Sequence, residues 1–439
     1  MKLLIKNAKV AQVNGSTIDA DVLCVDGKIE RIATAIDEIA DETLEANGLL
    51  LLPGVIDPQV HFREPGNEHK EDLGSGSRAA ARGGVTSYLE MPNTHPPTTD
   101  QAALDQKLKL AAEKSVVNYG FFIGATPDNL DELNSASPAC GIKIFMGSST
   151  GSLLVNKRKD LERIFATGDR LIAVHAENEE RINERMAQFA DRRDTQAHSV
   201  IRDNKCALLA SELALELSIK YKRRLHILHL STHEETEMLR KNKPAWVTAE
   251  VIPNHLLLNT SDYEFKGAFV QMNPPIRQPE DNEALWAGLK DGTIDFIATD
   301  HAPHTLKEKS QPYPNSPSGM PGVETSLPLM LTEMKAGRCN LAEIQKWMCY
   351  GPAESYHIAN KGKIREGWDA DLTLVDMDNA KPVRNKEMFS RAGWSPYEGR
   401  ELAGWPIYTI VGGHVVFDHG EIREGVLGQA LTYEGSTPN

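Results

Sequence analysis

Residues 53–63 read Pro53-Gly54-Val55-Ile56-Asp57-Pro58-Gln59-Val60-His61-Phe62-Arg63. A short apolar run, 54–57, gives way at once to amide, imidazole and guanidinium groups. Seven further runs of this kind follow, at 86–91, 119–123, 142–146, 171–175, 225–230, 246–251 and 294–299. Amphipathic helical patterns lie between most of them. The clearest spans 204–221, with apolar residues near every third or fourth position. Another, 234–240, is entered by Thr232 with Glu235 three residues on, the pattern of a capping box. Strand–helix alternation repeated eight times predicts an α/β fold, a (β/α)8 TIM-like barrel. An open doubly wound sheet is the alternative, and the lack of a Gly-rich phosphate loop after the first strand weakens it. Residues 310–322 read as a long loop after the eighth strand.

The flanks read differently. Short β runs at 3–5, 20–25 and 28–32 go with turn pairs Asn14-Gly15 and Asp26-Gly27, which tolerate positive φ. Runs at 371–375, 409–411 and 414–417, with Gly412-Gly413 at a turn, look alike. The expected division is therefore 1–52 and 365–439 as two parts of one small β-sandwich, with 53–364 as the barrel. A length of 439 residues suits one large domain and one small one.

A net charge of -14 argues against nucleic acid and anionic membrane as partners. No stretch approaches the roughly 18 apolar residues of a membrane span, and the polar start does not read as a signal peptide. Five scattered cysteines without metal-ligand spacing read as reduced core thiols of a cytoplasmic protein.

The C-terminal ends of barrel strands converge on one mouth, where catalysis is found. His61 follows the first run, Lys143 lies in the fourth, His175 and His229 mark the fifth and sixth, and Asp300 follows the eighth. Imidazoles and a carboxylate from different strand ends can form a divalent-metal site. His226, three before His229, is expected to be structural. Of His301 and His304, His304 is expected to face the substrate. His198, His233, His255 and His357 are read as ordinary hydrogen-bonded residues. Lys143 is costly in an apolar interior unless paired or neutralised. A salt-bridged structural lysine and a carbon-dioxide adduct bridging two metals both remain open on pattern alone. Arg63, two past His61, shares its side of an extended segment and can fork onto a carboxylate.

Taken together, the motifs resemble the amidohydrolase superfamily and, within it, the dihydroorotase family. They are Pro53–Asp57, His61-Phe62-Arg63-Glu64-Pro65-Gly66, Met91-Pro92-Asn93-Thr94, Gly141-Ile142-Lys143-Ile144-Phe145, His175-Ala176-Glu177, His229-Leu230-Ser231-Thr232, Asn273-Pro274-Pro275, Asp300-His301-Ala302-Pro303-His304, Gly319-Met320-Pro321-Gly322 and Ser395-Pro396-Tyr397-Glu398-Gly399. By that resemblance His61, Lys143, His175, His229 and Asp300 match metal-ligand or bridging positions, with one or two Zn2+ ions and an N-carboxylated Lys143. Asp300 also matches the catalytic general base and acid. Arg63 and Asn93 match residues that hold a substrate carboxylate, and Asn273 and His304 match other substrate contacts. The implied activity is reversible hydrolysis of L-dihydroorotate to N-carbamoyl-L-aspartate in pyrimidine synthesis. A homodimer and an association with aspartate transcarbamoylase are left open.

Two positions depart from the family pattern. Gln59 stands where the strand-one motif normally has a first histidine, so one metal position is expected to be weak, empty or water-completed, and Gln59 is a doubtful ligand. Asn254 stands where histidine is frequent, with little consequence expected. Two other readings stay in view. One is a related cyclic amidohydrolase, an allantoinase or dihydropyrimidinase, and Arg63 argues against dihydropyrimidinase. The other is a non-catalytic partner of aspartate transcarbamoylase, which only Gln59 favours.

Overall fold

In the computed structural model, which describes residues 1–147 and 153–434, the eight apolar runs form eight parallel strands. Their order around the barrel is Val55–Val60, Val85–Glu90, Asn118–Phe121 continued by Ile123–Gly124, Ile142–Phe145, Ile172–His175, Leu225–Ile227, Val247–Val251 and Phe296–Ile297. The ring closes where His61 N–H donates to the His301 carbonyl at 2.7 Å, beside a parallel bridge from Val60 to His301.

The first strand runs three residues past its apolar stretch. Pro58 has no N–H to give the ladder, and the register against the second strand jumps between Asp57 and Val60. Pro58 and Gln59 occupy this irregularity, and the strand continues to Val60, which brings Gln59 and His61 to the mouth.

Helices cover the barrel as the sequence predicts. Asn204–Tyr221 starts at Asp203, whose side chain accepts from Cys206 N–H, and stops at Lys222 in the left-handed region, φ 53. His233–Asn242 starts at Thr232, which accepts from Glu235 N–H. The reciprocal half of the capping box is altered: Glu235 takes the Thr232 and Ser211 hydroxyls. Both are buried donors that compete with the cap backbone.

The two chain ends meet in one sheet of nine strands. Asp26 (φ 47) and Gly27 (φ 81) make the tight turn between Thr17–Val25 and Lys28–Ala33, a primed turn that fits the twist of the strands. Two strands without a clear signal, Glu42–Glu45 and Leu50–Pro53, both pair with Lys2–Ala11, in its first and second halves. Leu50–Pro53 also pairs antiparallel with Leu372–Asp376, which joins the N-terminal strands to Trp405–Val411 and His414–Asp418. Ile5, Val10, Val22, Leu51, Leu372 and Ile410 lie in the core of this sheet domain. The sheet docks on the barrel through Thr373 and Thr409, whose hydroxyls donate to the carbonyls of Gly84 and Ala81. The end of the expected second sandwich part, 435–439, lies outside the described residues. Among those residues no helix is long and apolar enough to cross a membrane.

Candidate active site

A cavity of about 610 Å³ opens at the C-terminal ends of the barrel strands. Every residue singled out from the sequence lines it: Gln59, His61, Arg63, Asn93, Lys143, His175, His229, Asn273, Asp300 and His304. A second cavity, of about 550 Å³, lies between the sheet domain and the other end of the barrel. Lys361 in its lining is paired with Asp369 and Asp371.

Backbone conformation marks the same residues. Arg63 (φ 66), His229 (φ 38) and Asp300 (φ 48) are non-glycine residues in the left-handed region. Such positions cost on the order of 1–3 kcal/mol each and persist where the surroundings hold them.

Hydrogen-bond partners fix how the imidazoles face. The Nδ1 of His61 is 2.7 Å from Asn93 Oδ1 and therefore carries the proton of a neutral ring. Burial lowers the His61 pKa, against the pull of Asp300, which favours that neutral ring. Its Nε2 lone pair then faces the Asp300 Oδ1 lone pair across 3.1 Å. His175 is arranged likewise. Its Nε2 donates to Glu177 Oε2 at 3.0 Å, so its Nδ1 lone pair faces His229 Nε2 at 3.0 Å. The His229 Nδ1 is buried without a partner among the described residues, and burial, then His175, holds this ring neutral. His61, His175 and the Asp300 carboxylate turn lone pairs toward the cavity, and His229 offers its Nε2 once the ring proton moves to the unpartnered Nδ1, a donor set that suits a divalent cation.

Among the described residues no three His, Cys, Asp or Glu side chains close on one point. The groups meet in pairs instead, His61 with Asp300 and His175 with His229. The donor set fits a metal by chemistry and tautomer, with the pairs in mutual contact.

Lys143 stands in the fourth strand and is 1% exposed. Among the described residues no carboxylate lies within ion-pair distance of it, which removes the salt-bridged structural reading; its Nζ sits 4.6 Å from the Phe145 ring centroid. Burial pushes its pKa down to about 7, against Asp300 and Glu250. A buried amine that is neutral much of the time at pH 7 can act as a nucleophile toward carbon dioxide.

Part of the cavity wall is cationic, with Arg63 and Lys70 in its lining. Arg63 is half-buried, and desolvation brings its pKa down to about 10. Its Nε donates to the Pro303 carbonyl at 3.2 Å, its Nη2 lies 3.4 Å from His304 Nε2, and the side chain lines the cavity. His304 has both nitrogens engaged: Nε2 with the Ser318 carbonyl at 3.0 Å, and Nδ1 accepting from Lys70 Nζ at 3.1 Å. Lys70 lines the cavity beside Arg63 and pairs with Glu308 at 3.2 Å.

Sequence reasoning missed four contributors. Lys70 sits in the charged run Glu68-His69-Lys70-Glu71, which reads as a solvated face. Arg202 lines the cavity and pairs with Glu177. Glu177 itself was part of a quoted motif but given no task. His198, read as an ordinary histidine, places its Nε2 2.9 Å from Asn273 Oδ1 and so backs a cavity residue. Its only sequence signal was imidazole chemistry without context. His226 is structural as expected: it bonds Thr248 and Glu250 and stacks on Phe296.

Comparison with known proteins agrees with this geometry. The model of the amidohydrolase family matches residues 50–416. A dihydroorotase from Methanosarcina mazei is 40% identical over 429 residues, 94% of this chain and 93% of its own length. One from Listeria innocua is 35% identical, covering 95% and 99%. Among solved structures, the L-hydantoinase (dihydropyrimidinase) from Arthrobacter aurescens superposes with a TM-score of 0.94 at 32% identity, over 98% of this chain and 99% of that one. A D-hydantoinase gives 0.90 at 26% identity, over 99% of each chain. With the barrel, the termini-built sheet and the relatives of both kinds in agreement, the chain belongs to the amidohydrolase family and is a hydrolase of cyclic amides.

Proposed function

We propose that the protein is a dihydroorotase, which opens L-dihydroorotate to N-carbamoyl-L-aspartate and closes it again, in pyrimidine synthesis. The observation that carries this reading is the guanidinium of Arg63 on the cavity wall, with Lys70 lining the same cavity. Dihydroorotate bears a carboxylate beside its ring, whereas hydantoins and dihydropyrimidines do not. Among the described residues no carboxylate lies within ion-pair distance of this guanidinium, and such an anion supplies the missing counter-charge. The sequence relatives at up to 40% identity support the same substrate.

In this reading Arg63 grips the substrate carboxylate, with the Asn93 amide N–H2 beside it, since Asn93 Oδ1 is already taken by His61. Asn273, steadied by His198, contacts the ring. His304 aligns Lys70. One or two divalent ions, Zn2+ by the chemistry of the donors, would be held among His61, His175, His229, Asp300 and an N-carboxylated Lys143, and would supply Lewis acidity toward the ring carbonyl and the attacking water. Asp300 performs the proton transfers. Gln59 and His61 both face its Oδ1, which leaves Oδ2 to take a proton from the attacking water. The same oxygen returns the proton to the ring nitrogen as the C–N bond breaks, and ring closure runs the sequence backwards.

A hydantoinase-like activity is the second reading, favoured by the superposition with the Arthrobacter aurescens enzyme. The deciding experiment measures dihydroorotate hydrolysis and carbamoyl-aspartate cyclisation before and after chelation and zinc re-addition, with hydantoin and dihydrouracil in parallel. Metal-dependent turnover of dihydroorotate in both directions is the expected result. Turnover of hydantoin alone would move the assignment to the second reading, and no turnover with metal restored would end both. The resulting product feeds or drains a pool of amino-acid-derived ureides; a homodimer and a complex with aspartate transcarbamoylase are part of the proposal only as assembly states to be read by sedimentation.

A further inference from the structure

Gln59 is 1% exposed and lines the cavity. Its Nε2 donates to Asp300 Oδ1 at 3.0 Å. Its Oε1 is buried and has no partner among the described residues. The amide cannot be turned over, because its oxygen would then face a carboxylate oxygen, lone pair against lone pair. The group that Gln59 presents to Asp300 is thus a proton donor, where His61 presents a lone pair to the same atom.

The cavity's ligating atoms therefore fall into two unequal sets. On one side stand His175 Nδ1 and His229 Nε2, 3.0 Å apart, with Glu177 bracing His175 from behind. On the other stand one imidazole nitrogen and one carboxylate oxygen, and that oxygen is already engaged by Gln59. A cation binding on this second side must either do without Gln59 or recruit its Oε1. Recruiting it swings the amide off Asp300 and breaks a hydrogen bond to a charged group, which weakens binding about ten- to hundredfold. The ligand so gained is neutral, and softer imidazole or anionic oxygen suits zinc better.

We propose that this centre holds one divalent ion tightly, on the His175–His229 side, and that Gln59 is a positioning residue for Asp300 rather than a metal ligand. The inference rests on the metal-centre reading above, but its test needs no substrate. Metal content is measured on the full-length protein after saturation with zinc and desalting, and cobalt titration is followed by its visible absorption. The wild type is expected to retain one equivalent and to show one tight phase. Gln59→His, which replaces the donor with a second imidazole, is expected to bind a second equivalent about a hundredfold more tightly than the wild type does. Gln59→Ala is expected to keep the first equivalent unchanged while kcat falls about tenfold and KM stays put, since only the orientation of Asp300 is lost. Two tight equivalents in the wild type, or loss of tightly bound metal in Gln59→Ala with its circular dichroism unchanged, would overturn the proposal. No tight equivalent in any variant would instead overturn the metal-centre reading. The Gln59→His arm stands if Gln59→Ala fails to fold.

Discussion

Glu177 Oε2 accepts from Nε2 of His175 at 3.0 Å, and the same oxygen meets Nη1 of Arg202 at 2.5 Å. One buried carboxylate thus sets both the tautomer and the orientation of an imidazole on the cavity wall. Braces of this kind raise the basicity of the ring they hold, and their loss typically costs 10- to 100-fold in metal affinity.

Glu177→Gln is accordingly expected to weaken metal binding by about 10- to 100-fold. The amide can still accept from His175, but it leaves the Arg202 guanidinium without its counter-charge. Competition with a chromophoric chelator measures the effect. Affinity equal to that of the wild type would show that His175 needs no brace.

The same carboxylate predicts a pH dependence. Burial alone would raise its pKa, yet Arg202 and His175 outweigh burial and hold it at about 2. The folded-state value lies below the ordinary 4.5 of the unfolded chain. Its stabilisation is therefore complete above pH 4.5 and drains away as pH falls toward 2, by about 3 kcal/mol at the acid end. Urea unfolding of the metal-free protein between pH 5 and 3 should show a steeper loss in the wild type than in Glu177→Gln. Parallel curves would assign the acid sensitivity to other groups.

Arg63→Lys keeps the charge and removes the fork. The expected outcome is a fall of about 10- to 100-fold in kcat/KM for dihydroorotate, with any hydantoin hydrolysis unchanged. Equal losses on both substrates would mean that Arg63 supports the barrel mouth rather than a substrate carboxylate.

The segment 310–322 is fastened by a buried lysine. Lys309 Nζ donates to the carbonyls of Gln271 at 3.0 Å and Pro317 at 2.9 Å, while Pro317, Ser318 and Gly319 line the cavity. Lys309→Met keeps the bulk and deletes both donors. We expect faster proteolysis within this segment and a KM raised by roughly an order of magnitude. A variant with wild-type cleavage and KM would separate the fastening from substrate binding.

The barrel was legible because its strands are buried on both faces and so read as unbroken apolar runs. The site was legible because His175, His229 and Asp300 interrupt that pattern at strand ends, where a polar side chain has to be explained. Other features carried no such mark. Pro58 reads as a strand breaker, and only the register jump beside Val85–Glu90 lets the strand run on to Val60. Leu50–Pro53 is too short to stand out and owes its conformation to partners far along the chain. Lys70, His198 and Arg202 lie on loops and short helical turns whose approach to the cavity is decided by tertiary packing, which no local pattern encodes.

That placement of Leu50–Pro53 also dictates an order of events during synthesis. The strand leaves the ribosome before its neighbour Leu372–Asp376, which follows roughly three hundred residues later, about 15 to 60 s at ordinary elongation rates. For that interval the nascent chain carries an apolar strand with one open edge, the kind of edge that invites pairing with another chain. Leu372–Asp376 is thus what seals the open edge of Leu50–Pro53, and the burden of keeping this protein from aggregating falls on the time before that distant strand arrives.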